Sequence, residues 1–310
     1  MHKIFSDYLV HLELAGVDSQ TVRLNRRSLS YADRYLASIG KDAASAQPED
    51  YEVFFHRLLK DGAGVATRPL AASTVAGKLS NIRAAYHYAI KVRRIDFDPT
   101  ITVRRPTPDH HDPETLTNAE LRRIWNACTK PNEVTMFGLL VYTGMRQAEI
   151  LKLQWEQVDF DADMIRIHGR GHRGGGSIGK GGKARNVPVH PDLREILIAH
   201  LVHRQGPYVL RSQKGSCYSG QGLRQVLEAL LDRAGVHRTG FHTFRRTFNS
   251  SLLENDALER YVEQIMGHSP KTINRRFYQR QADQKLATTI RLVYMDDPIL
   301  KPPRRALSAV

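Results

Sequence analysis

One stretch of the chain constrains its fold more than any other, residues 239 to 280: TGFHTFRRTFNSSLLENDALERYVEQIMGHSPKTINRRFYQR. Phe244, Phe248 and Leu252 recur every four residues, which predicts an amphipathic helix from about residue 243 with its apolar side turned inward. His242 and Arg245 lie three residues apart, so the pattern places them together on the opposite side of this helix. The helix would therefore fix these two polar side chains relative to each other.

Two further helices are predicted in the same stretch. The second carries an apolar repeat of Leu258, Val262 and Ile265. Gly267 suits the left-handed residue that ends a helix, and His268 then follows a helix C-terminus, where a protonated imidazole is favoured. Ser269 and Pro270 are typical of the N-cap and first residue of a third helix, on which Tyr278 lies beside a core-facing position.

Each of these polar residues alone would carry little weight, because exposed arginines and half-buried tyrosines are ordinary in a basic helical domain. Their order and spacing carry more. HTFRRTF is followed by MGHSP, and Tyr278 lies ten residues after His268. This arrangement resembles the second conserved box of the tyrosine recombinases, also called the phage-integrase family.

A second segment, TGMRQAEILKLQWEQVD, resembles the first box of the same family, with Arg146 in the place of its first catalytic arginine. Gly144 permits a close approach of the backbone, Arg146 begins a predicted helix, and Glu149 lies one turn further on. Taken alone, Arg146 and Glu149 could be a surface pair that contributes only a few tenths of a kcal/mol. Two boxes in the family's order make that interpretation the weaker one.

The segments MIRIHG and ARNVPVH alternate as strands do, and they flank the glycine-rich basic sequence GRGHRGGGSIGKGGK. The family has a hairpin here whose turn carries a catalytic lysine, and the resemblance places Lys180 in that role with Lys183 as the alternative. Residues 174 to 180 also match GxxxxGK, the beginning of a nucleotide-binding loop. Gly181 stands where that loop needs Ser or Thr, and a strand follows instead of a helix, so ATP binding is not favoured.

The resemblance implies a full set of site residues for cleavage of DNA through a phosphotyrosyl intermediate. The catalytic residues would be Arg146, Lys180, His242, Arg245, His268 and Tyr278, with Glu149 supporting the site. The guanidinium groups suit the charged oxygens of the attacked phosphate, and the histidines can donate to those oxygens or transfer protons near neutral pH. Tyr278 would be the nucleophile and Lys180 the acid for the departing oxygen. No metal or other cofactor is expected.

The first hundred residues predict four or five helices. Their inward-facing apolar residues are, in the first, Ile4, Phe5, Tyr8, Leu9 and Leu12, in the second, Val22, Leu29, Ala32 and Leu36, and in a third that Pro48 opens, Val53, Phe54 and Leu58. Ser73 is the predicted cap of the fourth, with Val75, Leu79, Ile82, Tyr86 and either Ala89 or Ile90 facing inward. Lys78, Lys91 and Arg94 are assigned to its outer side, as solvated surface or as a basic wall along DNA phosphates. Lys183 and Arg246 are further candidate DNA contacts.

Composition supports a nucleic-acid partner, since the formal charge is +14 and the pI is near 9.9. A membrane surface is the alternative, but no apolar run approaches the roughly 20 residues that a transmembrane helix needs, and the N-terminus does not resemble a secretory signal. We therefore expect a cytoplasmic protein of a prokaryotic host, associated with the nucleoid when active. Cys128 and Cys217 lie far apart in no metal-binding motif, so neither a disulfide framework nor a zinc site is expected.

The predicted fold is mainly α with a small antiparallel β-sheet. A helical core-binding domain at residues 1–105 would clamp DNA, followed by a linker at 106–115, an α+β catalytic domain at 116–295 and a tail at 296–310. At the start of the catalytic domain, Thr117 and Glu120 are expected to form a capping box, with Leu116 and Leu121 as its hydrophobic staple. The resemblance implies a site-specific DNA recombinase that assembles as a tetramer on double-stranded DNA at a specific recombination site, with accessory DNA-bending proteins as further partners. Alternatives are a type IB topoisomerase-like enzyme and an inactive DNA-binding protein of the same fold.

Overall fold

A computed structural model of the chain describes residues 1–107, 114–169, 184–212, 215–237, 239–267, 283–294 and residue 299. The chain divides into two compact units, Met1–His111 and Asp112–Val310. The finer division into domains, linker and tail given above stays a prediction. Within the described residues, no helix combines the length and the apolar character needed to cross a membrane.

The first unit is built from helices, in the places that the apolar repeats predict. Its helices are α1 (Lys3–Leu14), α2 (Ser19–Ser38), α3 (Pro48–Lys60) and α4 (Ala72–Lys91). Asp18 caps α2 by accepting from two backbone N–H groups, and α3 begins with Pro48 after a capping box. In the core, the buried Tyr51 of α3 and Tyr86 of α4 are hydrogen-bonded to each other, with their hydroxyl oxygens 2.7 Å apart.

Three predictions for this unit were wrong. Helix α4 begins at Ala72 after an Ala71 N-cap, so Ser73 is not its cap. Lys78 is buried, with 7% of its surface exposed, because its amine lies over the ring of Tyr31. Val53 is 49% exposed although the pattern placed it inward on α3. Of the two residues left open for the inner side of α4, Ala89 is the buried one, with 1% of its surface exposed.

The second unit combines helices with a small sheet, as predicted. Its helices are α5 (Asn118–Asn126), α6 (Pro131–Thr143), α7 (Gln147–Leu151), a 3-10 turn (Trp155–Gln157), α8 (Pro191–Leu201), α9 (Gly220–Ala234), α10 (Phe241–Glu254), α11 (Glu259–Met266) and α12 (Asp283–Ile290). The strands are β1 (Val158–Asp159), β2 (Met164–Ile167) and β3 (Arg185–Pro188), in the order β1-β2-β3. Both pairings are antiparallel, and Ile165 faces Val187 in the second. The predicted strand pair is confirmed.

Helix α6 is the centre of this unit. Every residue from Glu133 to Thr143 is buried and most of them are apolar, which is typical of a core helix, and α6 packs against α8 and α10. On α10, Phe244, Phe248 and Leu252 are buried as predicted, although the helix begins at Phe241. The predicted shared outer side of α10 was wrong: His242 is exposed, whereas Arg245 is 4% exposed and points into the protein. Burial of Arg245 follows from acceptors that lie inside the unit.

The capping residues of α5 and α11 confirm two local predictions. Thr117 and Glu120 form the reciprocal capping box of α5, and Leu116 and Leu121 are both buried in the same core. Gly267 ends α11 in the left-handed conformation with φ +65°, also as predicted. Leu258 was assigned to the inner side of α11, but it is the N-cap and is 54% exposed.

Candidate active site

The turn between α6 and α7 positions the first predicted catalytic residue. Gly144 has φ +56°, and a Cβ added there would lie 2.5 Å from Cδ1 of Phe248 and 2.8 Å from Sδ of Met266. Only glycine fits this conformation and this spacing. The chain then leaves α6 so sharply that Arg146, two residues later, becomes the N-cap of α7.

Glu149 fixes Arg146 from the first turn of α7. The backbone N–H of Arg146 donates to Oε2 of Glu149 over 2.8 Å, and its side-chain Nη1 donates to Oε1 over 3.1 Å. The Glu149 side chain is 1% exposed, whereas that of Arg146 is 26% exposed. Glu149 therefore holds the backbone and the guanidinium of one residue at once, and Arg146 keeps a surface that solvent can reach.

Arg185, at the start of β3, forms a second and more buried ion pair with Glu149. Its Nη1 and Nη2 donate to Oε1 and Oε2 of Glu149, each over 2.8 Å, in the bidentate geometry that suits guanidinium and carboxylate. The two side chains are 6% and 1% exposed. Sequence reasoning missed Arg185. The signal was present, because residues two apart on a strand share a face, and Arg185 shares its face with the buried Val187.

Arg245 reaches the same region from α10. Its Nη1 donates to the carbonyl oxygen of Gly144, and its Nη2 donates to that of Met266. Burial, and then the positive charges of Arg146 and Arg185, lower the pKa of Arg245 to about 10, although Glu149 acts in the opposite direction. An anion placed beside Arg245 would reverse the effect of those like charges.

At the end of α11, three successive carbonyl oxygens each accept a hydrogen bond from one of the three arginines. Arg185 Nε donates to Ile265 over 2.8 Å, Arg245 Nη2 donates to Met266, and Arg146 Nη2 lies 3.4 Å from the oxygen of Gly267. The last carbonyl groups of a helix lack partners within it and carry partial negative charge. They therefore suit guanidinium donors. We call Arg146, Arg185 and Arg245 the arginine cluster.

The charge balance of the arginine cluster favours an anionic ligand. Burial by itself raises the pKa of Glu149, but hydrogen bonds and charge from Arg185, and then from Arg146, lower it overall, so the group stays a carboxylate. These hydrogen bonds give the cluster one carboxylate, that of Glu149, and three guanidinium groups. Planar guanidinium donors match the oxygens of a phosphate.

The remaining predicted catalytic residues divide between the described and the undescribed parts of the chain. His242 lies at the second position of α10, on its exposed side, three residues before Arg245. Lys180, Lys183, His268 and Tyr278 lie outside the described residues. The described part of the chain contains no group of three His, Cys, Asp or Glu side chains that could hold a metal ion.

The predicted DNA contacts differ in their surroundings. Lys91 on α4 and Arg246 on α10 are exposed. Arg94 is also exposed, and its Nη2 lies 3.7 Å from a carboxylate oxygen of Asp7. Lys78 is the buried exception.

Lys78 belongs to a group of cations around one aromatic ring. Its Nζ lies 3.7 Å from the ring centroid of Tyr31, and the guanidinium carbons of Arg34 and Arg27 lie 5.2 and 6.0 Å from it. Burial, and then the charges of Arg27 and Arg34, lower the pKa of Lys78 to about 8. None of these three cations pairs with a carboxylate among the residues that the structure describes. We call Arg27, Arg34 and Lys78 with Tyr31 the tyrosine-centred cluster.

A model described as the phage integrase family matches residues 114–285 of the chain. Two relatives named tyrosine recombinase XerD extend the likeness to most of its length. The one from Shewanella oneidensis is 26% identical over 274 residues, which cover 82% of this chain and 84% of the relative. The one from Mycobacterium tuberculosis is 28% identical over 286 residues, which cover 86% and 89%.

Solved structures share the fold. A lambda integrase (75-356) dimer bound to a COC' core site has a TM-score of 0.70 at 16% identity, covering 88% of this chain and 96% of that one. The Tn1549 transposon integrase in complex with transposon right end DNA has a TM-score of 0.68 at 17% identity, covering 93% and 98%. The chain belongs to the phage integrase family, the tyrosine recombinases. It is a site-specific recombinase, and the predicted fold class is confirmed.

Proposed function

We propose that this recombinase cleaves one DNA strand by attack of Tyr278 on the scissile phosphate, which leaves a 3′-phosphotyrosyl bond. The observation that supports the proposal is the arginine cluster, in which Arg146 and Arg185 are bonded to the carboxylate of Glu149 and Arg245 is bonded to a carbonyl oxygen at the end of α11. A phosphodiester carries its charge on two non-bridging oxygens, and the charge must be neutralised before another oxygen can attack phosphorus. His268 directly follows Gly267, whose carbonyl oxygen is bonded to Arg146, and Tyr278 lies ten residues further on, which supports their part in the same site.

Arg146 and Arg245 are the proposed phosphate ligands. Arg146 is the most exposed member of the cluster, and Glu149 fixes the direction of its guanidinium group. Arg245 is buried, and its depressed pKa indicates that a neighbouring negative charge would stabilise its cationic form. Both groups are held before substrate arrives, so little reorganisation is needed as charge develops in the transition state.

The proton transfers fall to the histidines and to a lysine. A tyrosine hydroxyl has an ordinary pKa of about 10 and must lose its proton as it attacks. His242 and His268 are proposed to donate to the phosphate oxygens or to accept that proton, and Lys180 to protonate the departing 5′ oxygen. One phosphodiester replaces another, so the bond energy is retained for joining to a new strand, and the mechanism needs neither ATP nor a metal.

Double-stranded DNA at a specific recombination site is the proposed substrate, and a tetramer the proposed working assembly. Support comes from lambda integrase, which has been described as a tetramer bound to a Holliday junction and shares this fold with a TM-score of 0.69. The net charge of +14 favours contacts with phosphates along DNA, for which Lys78, Lys91, Arg94, Lys183 and Arg246 are the proposed residues. Accessory DNA-bending proteins are further proposed partners. The relatives are bacterial, which supports a place in the cytoplasm with the nucleoid.

Tyr278→Phe tests the nucleophile, because it removes one hydroxyl and leaves the ring. With a nicked suicide substrate that traps the covalent complex, we expect wild type to form a DNA adduct on a denaturing gel and the variant to form none, while native gels show equal DNA binding. The wild-type adduct should also form in EDTA. An adduct formed by the Phe variant would mean that another residue attacks.

A bridging sulfur distinguishes Lys180 from Lys183. Sulfur is a good leaving group, so replacing the bridging 5′ oxygen makes the acid dispensable. Lys180→Ala should cleave ordinary DNA slowly and sulfur-substituted DNA nearly as fast as wild type, whereas Lys183→Ala should lose little on either substrate. Rescue of Lys183→Ala alone would move the assignment by three residues along the turn, and rescue of neither would transfer the acid role to His242 or His268.

A further inference from the structure

Arg185 has no place in the proposed reaction, although it is the best-bonded member of the arginine cluster. Its Nε donates to Ile265, and its Nη1 and Nη2 donate to the two oxygens of Glu149, each bond 2.8 Å long. The side chain is 6% exposed. Each nitrogen of this guanidinium group already serves the protein, so Arg185 is poorly placed to bind a phosphate as well.

We propose that Arg185 is a positioning residue, which neutralises Glu149 and anchors the end of α11 so that Arg146 and Arg245 act on the phosphate. The inference rests on the proposed function, because it assigns Arg185 a role toward the proposed phosphate ligands. Two observations support it. Arg185, Glu149 and Arg146 are bonded in a chain, and three successive carbonyl oxygens beside them each accept a hydrogen bond from one arginine.

The first part of this role concerns charge. Oε1 of Glu149 accepts from Arg185 over 2.8 Å and from Arg146 over 3.1 Å, so the two guanidinium groups share one carboxylate. Arg185 makes the shorter and bidentate contact and is the main counter-ion. Without Arg185, the buried charge of Glu149 would be balanced by Arg146 alone. Arg146 would then be drawn toward the carboxylate, and its positive charge would no longer be available to a phosphate.

The second part concerns geometry. Arg185 lies so close to Gly267 that a Cβ added there would be 2.8 Å from Cδ of the arginine. It also holds the carbonyl group of Ile265, and the next two carbonyl groups, of Met266 and Gly267, are bonded to Arg245 and Arg146. A shift of this helix end would therefore displace both proposed phosphate ligands together. Small displacements at a reacting centre carry large rate costs.

Arg185→Met removes the charge and keeps an apolar side chain of similar length. On saturating nicked substrate, we expect single-turnover formation of the covalent complex to slow by about 10²-fold. The matched control is Arg233→Met, which breaks the 2.6 Å contact between Arg233 and the buried Glu133, a pair joining α9 to α6 away from the cluster. This control should cleave at close to the wild-type rate. Thermal melts and native gels establish that each variant is folded and binds DNA.

Two further variants distinguish a positioning role of Arg185 from a merely structural one. Arg185→Lys restores a charge, so it should recover part of the lost rate. Arg185→Met/Glu149→Gln removes the carboxylate charge that captures Arg146, so it should cleave faster than Arg185→Met even though it carries one more substitution. If Arg185→Met does not remain folded at the assay temperature, the double variant and Arg185→Lys give the same comparison, since the proposal requires both to be active.

A second measurement uses a neutral methylphosphonate at the scissile position. Relative to wild type on the same substrate, the defect of Arg185→Met should shrink to a few fold, because a neutral group depends less on the guanidinium charges. Equal defects on both substrates, or a double variant slower than Arg185→Met, would overturn the inference and leave Arg185 as a fold-supporting residue. A wild-type rate for Arg185→Met would overturn it too. A wild-type protein that forms no adduct would instead reject the proposed function, and the inference with it.

Discussion

The two units each concentrate three cations in one place, but they surround them with different chemistry. In the arginine cluster of the second unit, the guanidinium groups are bonded to Glu149 and to backbone carbonyl oxygens at the end of α11. In the tyrosine-centred cluster of the first unit, Lys78 lies over an aromatic ring, 3.7 Å from its centroid, with Arg27 and Arg34 around the same ring. Arg34 also donates to the carbonyl oxygens of Ser30 and Val65, each over 3.3 Å. No carboxylate pairs with those three cations among the described residues.

The two clusters differ in what fixes the direction of their cations, and the difference is sharpest between the arginine cluster and the pair Lys78 and Arg27. A carboxylate or carbonyl oxygen fixes the plane of a guanidinium group through hydrogen bonds, whereas the face of an aromatic ring attracts a cation without fixing where its N–H groups point. Bonded arginines suit a site where a phosphorus atom must be held in line with an attacking oxygen. Cations on a ring suit attraction to a polyanion, which needs charge in the right region but little angular accuracy.

The largest expected difference is between two variants that each exchange an arginine for a lysine, one in each cluster. Arg146→Lys keeps the charge but loses the planar fork, so we expect cleavage to slow by about 10²–10³-fold, the cost of one transition-state donor. Arg27→Lys should cleave and bind nearly as wild type does, because a point charge suffices beside Tyr31. The measurement is single-turnover adduct formation with DNA affinity determined in parallel. Comparable losses in the two variants would break the distinction between the clusters.

The next effect concerns stability. Glu149→Ala leaves Arg185 buried without its carboxylate, and breaking a buried pair in this way costs about 3–5 kcal/mol of unfolding free energy. Arg194→Ala, which removes an exposed pair with Asp163 in the same unit, should cost less than about 1 kcal/mol. Denaturant titrations of the full chain measure both.

The same titrations at lower pH give the sign of the Glu149 contribution. The folded state lowers the pKa of Glu149, so its stabilisation is complete above the ordinary pKa of a glutamate and is lost as pH falls through the lowered value. The difference between wild type and Glu149→Ala should therefore narrow in acid. A difference that does not change with pH would contradict the ionised pair.

Sequence patterns located the elements of the site better than its contacts. The four-residue repeat on α10, the glycine that ends α11 and the capping box of α5 are local signals, and each describes a helix that forms where predicted. The same periodicity placed Arg245 outside, because an arginine on the polar side of a helix is ordinarily solvated. Its acceptors are carbonyl oxygens of Gly144 and Met266, 101 and 21 residues away. A local pattern contains no information about such partners.

Arg185 and Lys78 show the same limit on the other elements. Strand alternation could have placed Arg185 inward beside Val187, but only the fold brings it to Glu149, 36 residues earlier in the chain. Lys78 was assigned to the outer side of α4 by its charge, whereas its amine lies over the ring of Tyr31 on α2. Long alkyl stems let charged residues cover apolar surface, so charge alone does not predict exposure.

Lys78→Met gives the smallest expected effects and tests the tyrosine-centred cluster most directly. Folding lowers the pKa of Lys78 from 10.5 to about 8, through burial and then through Arg27 and Arg34. Below pH 8 the lysine is charged in both states, so its charged form costs stability there in full. Between pH 8 and 10.5 the unfolded chain binds more protons than the folded one, and this cost declines as pH rises. Lys78→Met should therefore stabilise the protein at pH 7, by an amount that decreases toward pH 10.

A residue that lowers stability at neutral pH needs another reason to be charged, and the proposed phosphate contact supplies one. Lys78→Met should weaken DNA binding and reduce the slope of log K against log salt by about 0.9, the value for one phosphate. Lys91→Met is the exposed control on the same helix, and it should reduce the slope without the gain in stability. A stabilised Lys78→Met protein with an unchanged salt slope would remove Lys78 from the DNA contacts. The tyrosine-centred cluster would then be a feature of the helical core, and the comparison between the two clusters would concern folding alone.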